Sequence, residues 1–182
     1  MNEQLQVLSL AVSRLEAAGI EYLITGSFAL AVYATPRMTR DIDIVIDCTS
    51  DQAARLAKAF QADSYASEDA AREAVVTGTM FNVVHNDTLM KVDFIVRKRD
   101  AYTDAQFARG RRVDLGGFDA RFIAPEDLVL AKLLWRRDSG SEQQLRDVRS
   151  VVAAVSTLDW TYLARWAERL GLSDDVDQLK AT

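Results

Sequence analysis

Thr25-Gly26-Ser27-Phe28, followed shortly by Arg40-Asp41-Ile42-Asp43-Ile44-Val45-Ile46, is the stretch that decides how this chain folds and what it handles. Ile20 to Ile24 reads as a short strand, Gly26-Ser27 as the turn, and Ser27 to Tyr33 as a short apolar helix. The first backbone N–H groups of such a helix have no partner inside it, so its N-terminus suits a phosphate. Ser27 can offer both its hydroxyl and its backbone N–H. A basic, proline-containing loop then feeds a strand over residues 41 to 47. Side chains alternate along a strand, so Asp41 and Asp43 share one face while Ile42 and Ile44 share the other. Two carboxylates side by side on a buried-type strand repel each other and are costly to desolvate. A divalent cation between them relieves both costs. Mg²⁺ (or Mn²⁺) suits the place, because Mg²⁺ takes one or two carboxylates and fills its remaining positions with water and phosphate oxygens. The stretch therefore reads as a phosphate-handling metal site.

Lys91-Val92-Asp93-Phe94-Ile95-Val96 is a second apolar strand with one acid in its middle, where a core strand favours Val or Ile. By itself Asp93 is equally well a partner for Lys91 or Arg97. Beside the first strand it completes a carboxylate cluster with Asp41 and Asp43, able to hold two metal ions for an in-line phosphoryl displacement.

These residues together, Gly26-Ser27, Asp41-x-Asp43 and Asp93, resemble the nucleotidyltransferase superfamily of DNA polymerase β-like fold. More narrowly, the chain resembles small bacterial nucleotidyltransferase-like proteins related to the AbiEii toxin group. The likeness extends through Ala124-Pro125-Glu126-Asp127-Leu128 and the segments 141–148 and 158–167, so it covers roughly residues 20 to 170. One departure is the turn, which is shorter than the superfamily usually shows. The resemblance implies an α/β (α+β) fold, with a mixed sheet flanked by helices and a C-terminal helical part. It also implies transfer of a nucleoside monophosphate from an NTP to a hydroxyl or phosphate of an RNA such as tRNA, a protein or a small molecule. A toxin role with a cognate antitoxin belongs to the same implication. In it Gly26, Ser27 and Lys132 hold the triphosphate, Asp41 and Asp43 bind Mg²⁺, and Asp93 holds a second metal and deprotonates or orients the acceptor hydroxyl.

The bulk properties bound these readings. The chain has 182 residues, 49% hydrophobic and 27% charged, with net charge −5. That is enough for a proper core, disfavours extensive nucleic-acid binding, and leaves the Arg97–Arg99 and Arg109–Arg112 clusters as local anion patches or solvated charges. Cys48 is the only cysteine, so no intrachain disulfide forms and a reducing compartment is expected. The N-terminus lacks a basic, apolar leader and no run approaches the ~20 apolar residues of a membrane helix, so the expected location is the cytoplasm.

Apolar spacing predicts helices over 3–18, 51–62 (capped by Ser50), 68–75, 101–109, 125–137, 141–155 and 159–170. Residues 80–85 and 89–96 predict an antiparallel hairpin around Asn86-Asp87, with a further strand near 118–123. The expected organisation is a core over 1–124 with a helical segment, 125–182, packed on it.

Several residues carry two readings. Arg37 and Arg40, in the loop before the metal strand, contact a phosphate or pair with a nearby acid. Lys132 reaches the triphosphate or snorkels along its helix. Asp147 orients Lys132, accepts a substrate proton, or serves as an i,i+4 partner on a helix surface. His85 is expected to be structural, and Trp135, Trp160 and Trp166 to be core residues. The rival function is a catalytically silent nucleotide sensor or partner protein of the same fold. A third reading is a helical interaction protein, with Trp160 and Trp166 on a dimer surface.

Overall fold

The computed structural model describes residues 3–37 and 39–180; Met1 and Asn2 of the N-terminal reading lie outside them. Seven strands form one mixed sheet: β1 (Glu21–Ile24), β2 (Asp41–Asp47), β3 (Ser64–Tyr65), β4 (Met80–His85), β5 (Lys91–Val96), β6 (Arg111–Asp114) and β7 (Asp119–Phe122). Their spatial order is β3-β4-β5-β2-β1-β7-β6. The central pair, β2 and β5, is parallel, and β1 and β4 flank it antiparallel.

The alternation expected of β2 is what the sheet uses. Ile42, Ile44 and Ile46 are fully buried, and the parallel register sets Phe94 of β5 beside Ile44. Phe94 in turn packs on Phe60 of helix α3 (Ser50–Phe60), ring centroids 5.7 Å apart, and Arg14 of α1 (Glu3–Ala17) lies over Phe60. Helices α1, α3 and α4 (Glu68–Thr77) therefore close this face, where each buried Ile or Phe contributes about 1.5–3 kcal/mol. The opposite face carries Asp43, Val45, Asp93 and Ile95. It looks onto α2 (Gly26–Tyr33), α5 (Ala101–Arg109), α6 (Pro125–Ser139) and α8 (Trp160–Leu170). Helices α7 (Glu142–Ala154) and α9 (Ser173–Lys180) pack outside α6 and α8. No helix among the described residues is long and apolar enough to cross a membrane.

Two local expectations are corrected and three elements are added. Helix α3 is capped by Thr49, not Ser50, because Thr49 and Gln52 form a reciprocal capping box. Strand β3 is too short, and β6 (Arg-Arg-Val-Asp) too polar, to show an apolar period; both exist through pairing with β4 and β7. Helix α9 is a short acidic segment docked by Val176 and Leu179. The hairpin is present, but β5 starts at Lys91 because Leu89 takes φ +54°, outside the strand region.

Candidate active site

The site begins with a turn that only glycine can make. Gly26 has φ +63°, and a Cβ on it would collide with Asp43 Oδ2. Thr25 N–H donates to the Asp43 carbonyl at 2.9 Å, tying the turn to β2. Thr25 caps α2 without a side-chain bond, which leaves that cap position to an outside acceptor. Ser27 is buried in the first turn of the helix. The β2–β5 register sets Asp43 directly opposite Asp93, with Asp41 opposite Lys91.

Asp93 is 6% exposed. Its Oδ2 pairs with Lys91 Nζ at 2.9 Å, while its buried Oδ1 has no hydrogen-bond partner. Burial, then the charges of Asp93 and Asp41, push the Asp43 carboxyl above its ordinary pKa. Asp41 stands exposed at the strand's start. The three expected acids thus share one face of two adjacent strands. No three His, Cys, Asp or Glu side chains among the described residues already form a metal cage. The donor set nonetheless fits a hard divalent cation. It is all carboxylate oxygen, it is short of positive charge, and it contains an orphaned buried acceptor.

Lys132 lies across the cleft from this pair. It is 4% exposed, donating to Asp147 Oδ2 at 2.7 Å and to Gln144 Oε1 at 3.2 Å. Burial pulls its pKa down, against the opposing pull of Asp147. Burial works to raise Asp147, but hydrogen bonds from Lys132 and Gln143 outweigh it and hold this carboxyl below its usual range. Arg37 Nε reaches the same carboxylate oxygen at 3.4 Å, so of the two readings for Arg37 the ion pair is formed. Arg40 is exposed; its backbone carbonyl accepts from Lys91 N–H at 3.2 Å. Asp147 is buried beside Lys132, not a surface partner, although Gln143 does bond it at i,i+4.

Gly26, Asp43, Asp93 and Lys132 line one end of a cleft of about 910 Å³. Its other end holds residues that pattern reading assigned elsewhere. Trp135 is 53% exposed, not a core residue: it follows Lys132 by one helical turn and so faces the same cleft. Trp166 is buried against Tyr102 and Trp160 is half-buried, so neither marks an exposed dimer surface. Of the basic cluster, Arg109 turns inward to Glu126 at 2.6 Å, and Arg112 faces Glu16 and Asp119. Lys91, which neutralises one oxygen of Asp93, was legible only as a neighbour in sequence.

The sequence model of a family described as "Nucleotidyl transferase of unknown function (DUF2204)" matches residues 4–176. A search of curated proteins finds no match. Among solved structures, an antigenic nucleotidyltransferase-like protein from Paracoccidioides brasiliensis superposes with TM-score 0.61 at 18% identity, over 97% of this chain and 92% of that one. ANT(2'')-Ia in complex with adenylyl-2''-tobramycin gives TM-score 0.57 at 12% identity, covering 99% and 98%. The lincosamide antibiotic adenylyltransferase LnuA, lincomycin-bound, gives 0.54 at 13%, covering 85% and 99%. At such identities these likenesses speak for the fold. The family match carries neither a toxin role nor an antitoxin partner.

Proposed function

The chain belongs to this nucleotidyl transferase family, and on that premise we propose that it moves a nucleoside monophosphate from an NTP to a hydroxyl of a small-molecule acceptor in the cytoplasm. The observation that carries the reading is the Asp43–Asp93 register at the polar end of the cleft, with Asp93 Oδ1 unpartnered and the Gly26 turn pressed against Asp43. Asp43 and Asp93, with Asp41 at the strand's open start, would hold a divalent cation. When bound, it supplies countercharge to the triphosphate and to the developing pyrophosphate. The N-terminus of α2, from Gly26 and Ser27, receives phosphate oxygens. Lys132, held in place by Asp147 and Gln144, presents positive charge from the opposite wall. Arg37 steadies Asp147 and so acts on Lys132 at one remove. Asp93 Oδ1 is the free acceptor for the attacking hydroxyl's proton. Positioning and charge neutralisation supply most of the rate, since phosphoryl transfer asks for little covalent work from the protein.

A small acceptor is favoured over RNA because the chain is acidic overall and the Arg109–Arg112 cluster is partly consumed by internal pairs. The acceptors in the two antibiotic-bound neighbours are small molecules as well. The cytoplasmic setting rests on composition: Cys48 is the one cysteine of the sequence, so the fold uses no intrachain disulfide.

Calorimetric titration of ATP, GTP, CTP and UTP, with Mg²⁺ and again with EDTA, tests the reading. Mg²⁺-dependent binding of an NTP, lost in Asp43→Asn, is the expected result. Binding of no nucleotide would hand the case to the catalytically silent partner protein. The pairing of Asp93 with Lys91 and of Lys132 with Asp147 would then be the whole purpose of those groups.

A further inference from the structure

The 910 Å³ cleft is larger than its polar end. Beyond Asp43 and Asp93 its floor continues along the same strand faces as Val45 and Ile95, both only half-buried. Tyr102 and Trp166, ring centroids 5.1 Å apart, line its far wall. Trp135 also lines the cleft and leaves 53% of its surface to solvent. The indole N–H of Trp166 is buried with no hydrogen-bond partner, a donor that an oxygen of a bound ligand would satisfy.

The charge at this end is distinctive in a chain whose net charge is −5. Lys98, Arg137 and Arg169 line it against a single acid, Asp100. Asp100 is already engaged as the cap of α5, accepting from Thr103 N–H at 2.8 Å. Arg137 is paired with Asp138 and Arg169 lies over the Trp166 ring at 5.1 Å, but neither Lys98 nor Arg169 has a carboxylate partner among the described residues. Flat aromatic walls, an apolar floor and uncompensated cations at one end specify a ligand class.

We infer that this far half is the acceptor subsite, and that the acceptor is a flat, largely apolar molecule bearing a hydroxyl and a carboxylate or phosphate, not a polycation. The assignment rests on the nucleotidyl-transfer reading above. In the step it serves, the acceptor hydroxyl oxygen forms a bond to the α-phosphorus of the NTP. The bond from that phosphorus to the α,β-bridging oxygen breaks, pyrophosphate leaves with the electron pair, and the hydroxyl proton passes to Asp93 Oδ1. The anionic group of the acceptor lies toward Lys98 and Arg169, away from the carboxylates, so it does not add to their repulsion.

Three naphthols of one shape test this: 6-hydroxy-2-naphthoate, 2-naphthol and 6-(aminomethyl)-2-naphthol. They are titrated by ligand-observed NMR into the full chain without nucleotide or divalent cation. The anion is expected to bind about tenfold more tightly than the cation, with the neutral compound between them. That ratio should fall toward one in the Lys98→Gln/Arg169→Gln double variant, and Trp135→Ala should weaken all three. Equal binding of the series, preference for the cation, or indifference to Trp135→Ala overturns the inference. A failed series alongside intact Mg²⁺-dependent NTP binding removes the acceptor class and leaves transfer standing. A series as expected with no NTP binding keeps the ligand class of the pocket and removes transfer as its purpose.

Discussion

Two pairs of neighbouring acids in this protein are treated in opposite ways. Glu126 and Asp127, 1% and 0% exposed at the start of α6, are paired with protein groups, although Asp127 Oδ2 accepts no hydrogen bond and has only the charge of Arg109 beside it. Arg109 reaches Glu126 at 2.6 Å and Asp127 at 3.4 Å, Tyr162 hydroxyl donates to Asp127 Oδ1 at 2.7 Å, and Asp159 N–H donates to Glu126 Oε1 at 3.0 Å. Arg109 also lies over the Tyr162 ring, so one guanidinium joins α5, α6 and α8. Among the described residues Asp93 pairs with Lys91 alone and the Asp43 side chain with no cation, Lys132 being committed to Asp147. The first pair is neutralised from within and holds elements together. The second is left short of positive charge at the end of a cleft, which is the arrangement of a site awaiting a charged ligand.

The largest expected effect separates the two. Asp43→Asn should reduce transfer on the order of 10³-fold. The melting temperature of the metal-free protein should hold or rise, since a desolvated, repelled carboxylate becomes neutral. A clear loss of stability would instead make Asp43 a structural acid like Asp127 and break the contrast. Arg109→Met should do the reverse, because it strands two buried carboxylates. Denaturant unfolding should show a loss of about 3 kcal/mol, with Mg²⁺-dependent NTP binding retained by the folded fraction.

A pH titration sharpens the first cluster. Burial raises the Asp127 carboxyl to about 6 from 3.8, against the opposing bonds from Tyr162 and Arg109. The folded state therefore holds this proton more tightly than the unfolded chain does. Its contribution to stability is full below pH 3.8 and falls away as pH rises to about 6, by about 3 kcal/mol. Asp127→Asn should flatten that limb of the stability profile, and a limb unchanged in the variant would assign it to another group. A smaller loss of stability than that of Arg109→Met is expected of Gly26→Ala: about 1 kcal/mol from the left-handed backbone alone. The methyl must also displace the Asp43 carboxylate, so a crystal structure of the variant should show that side chain moved and an activity assay should show transfer reduced.

Much of this was legible beforehand because it is local. The Gly-Ser turn, the alternation of Asp41 and Asp43 with three isoleucines, and the lone acid in Lys91–Val96 are each read from a few consecutive residues. Trp135 shows where that kind of reading ends. Its spacing on α6 is compatible with the core or with a cleft, and only the neighbours of α6 decide which. Arg109 is the same case: in a run of four residues with three arginines it reads as surface charge, yet it is drawn inward by acids 17 and 18 positions away. Thr49, by contrast, was there to be found, since Thr-x-x-Gln is a capping box in the sequence itself.

By itself, then, the sequence determined which side chains share a face, because strand and helix periods follow from backbone sterics over a few residues. It also determined where the chain must turn, because the conformation at Gly26 excludes a Cβ. The tertiary structure alone decided that Asp43 stands beside Asp93 and Asp41 beside Lys91. The register of two strands some fifty residues apart is set by burying Ile44 against Phe94 under α3, and a slip of one residue would turn Asp93 to the wrong face. It also decided which cations are consumed and which remain, since each ion pair across the helices depends on docking that no local pattern encodes.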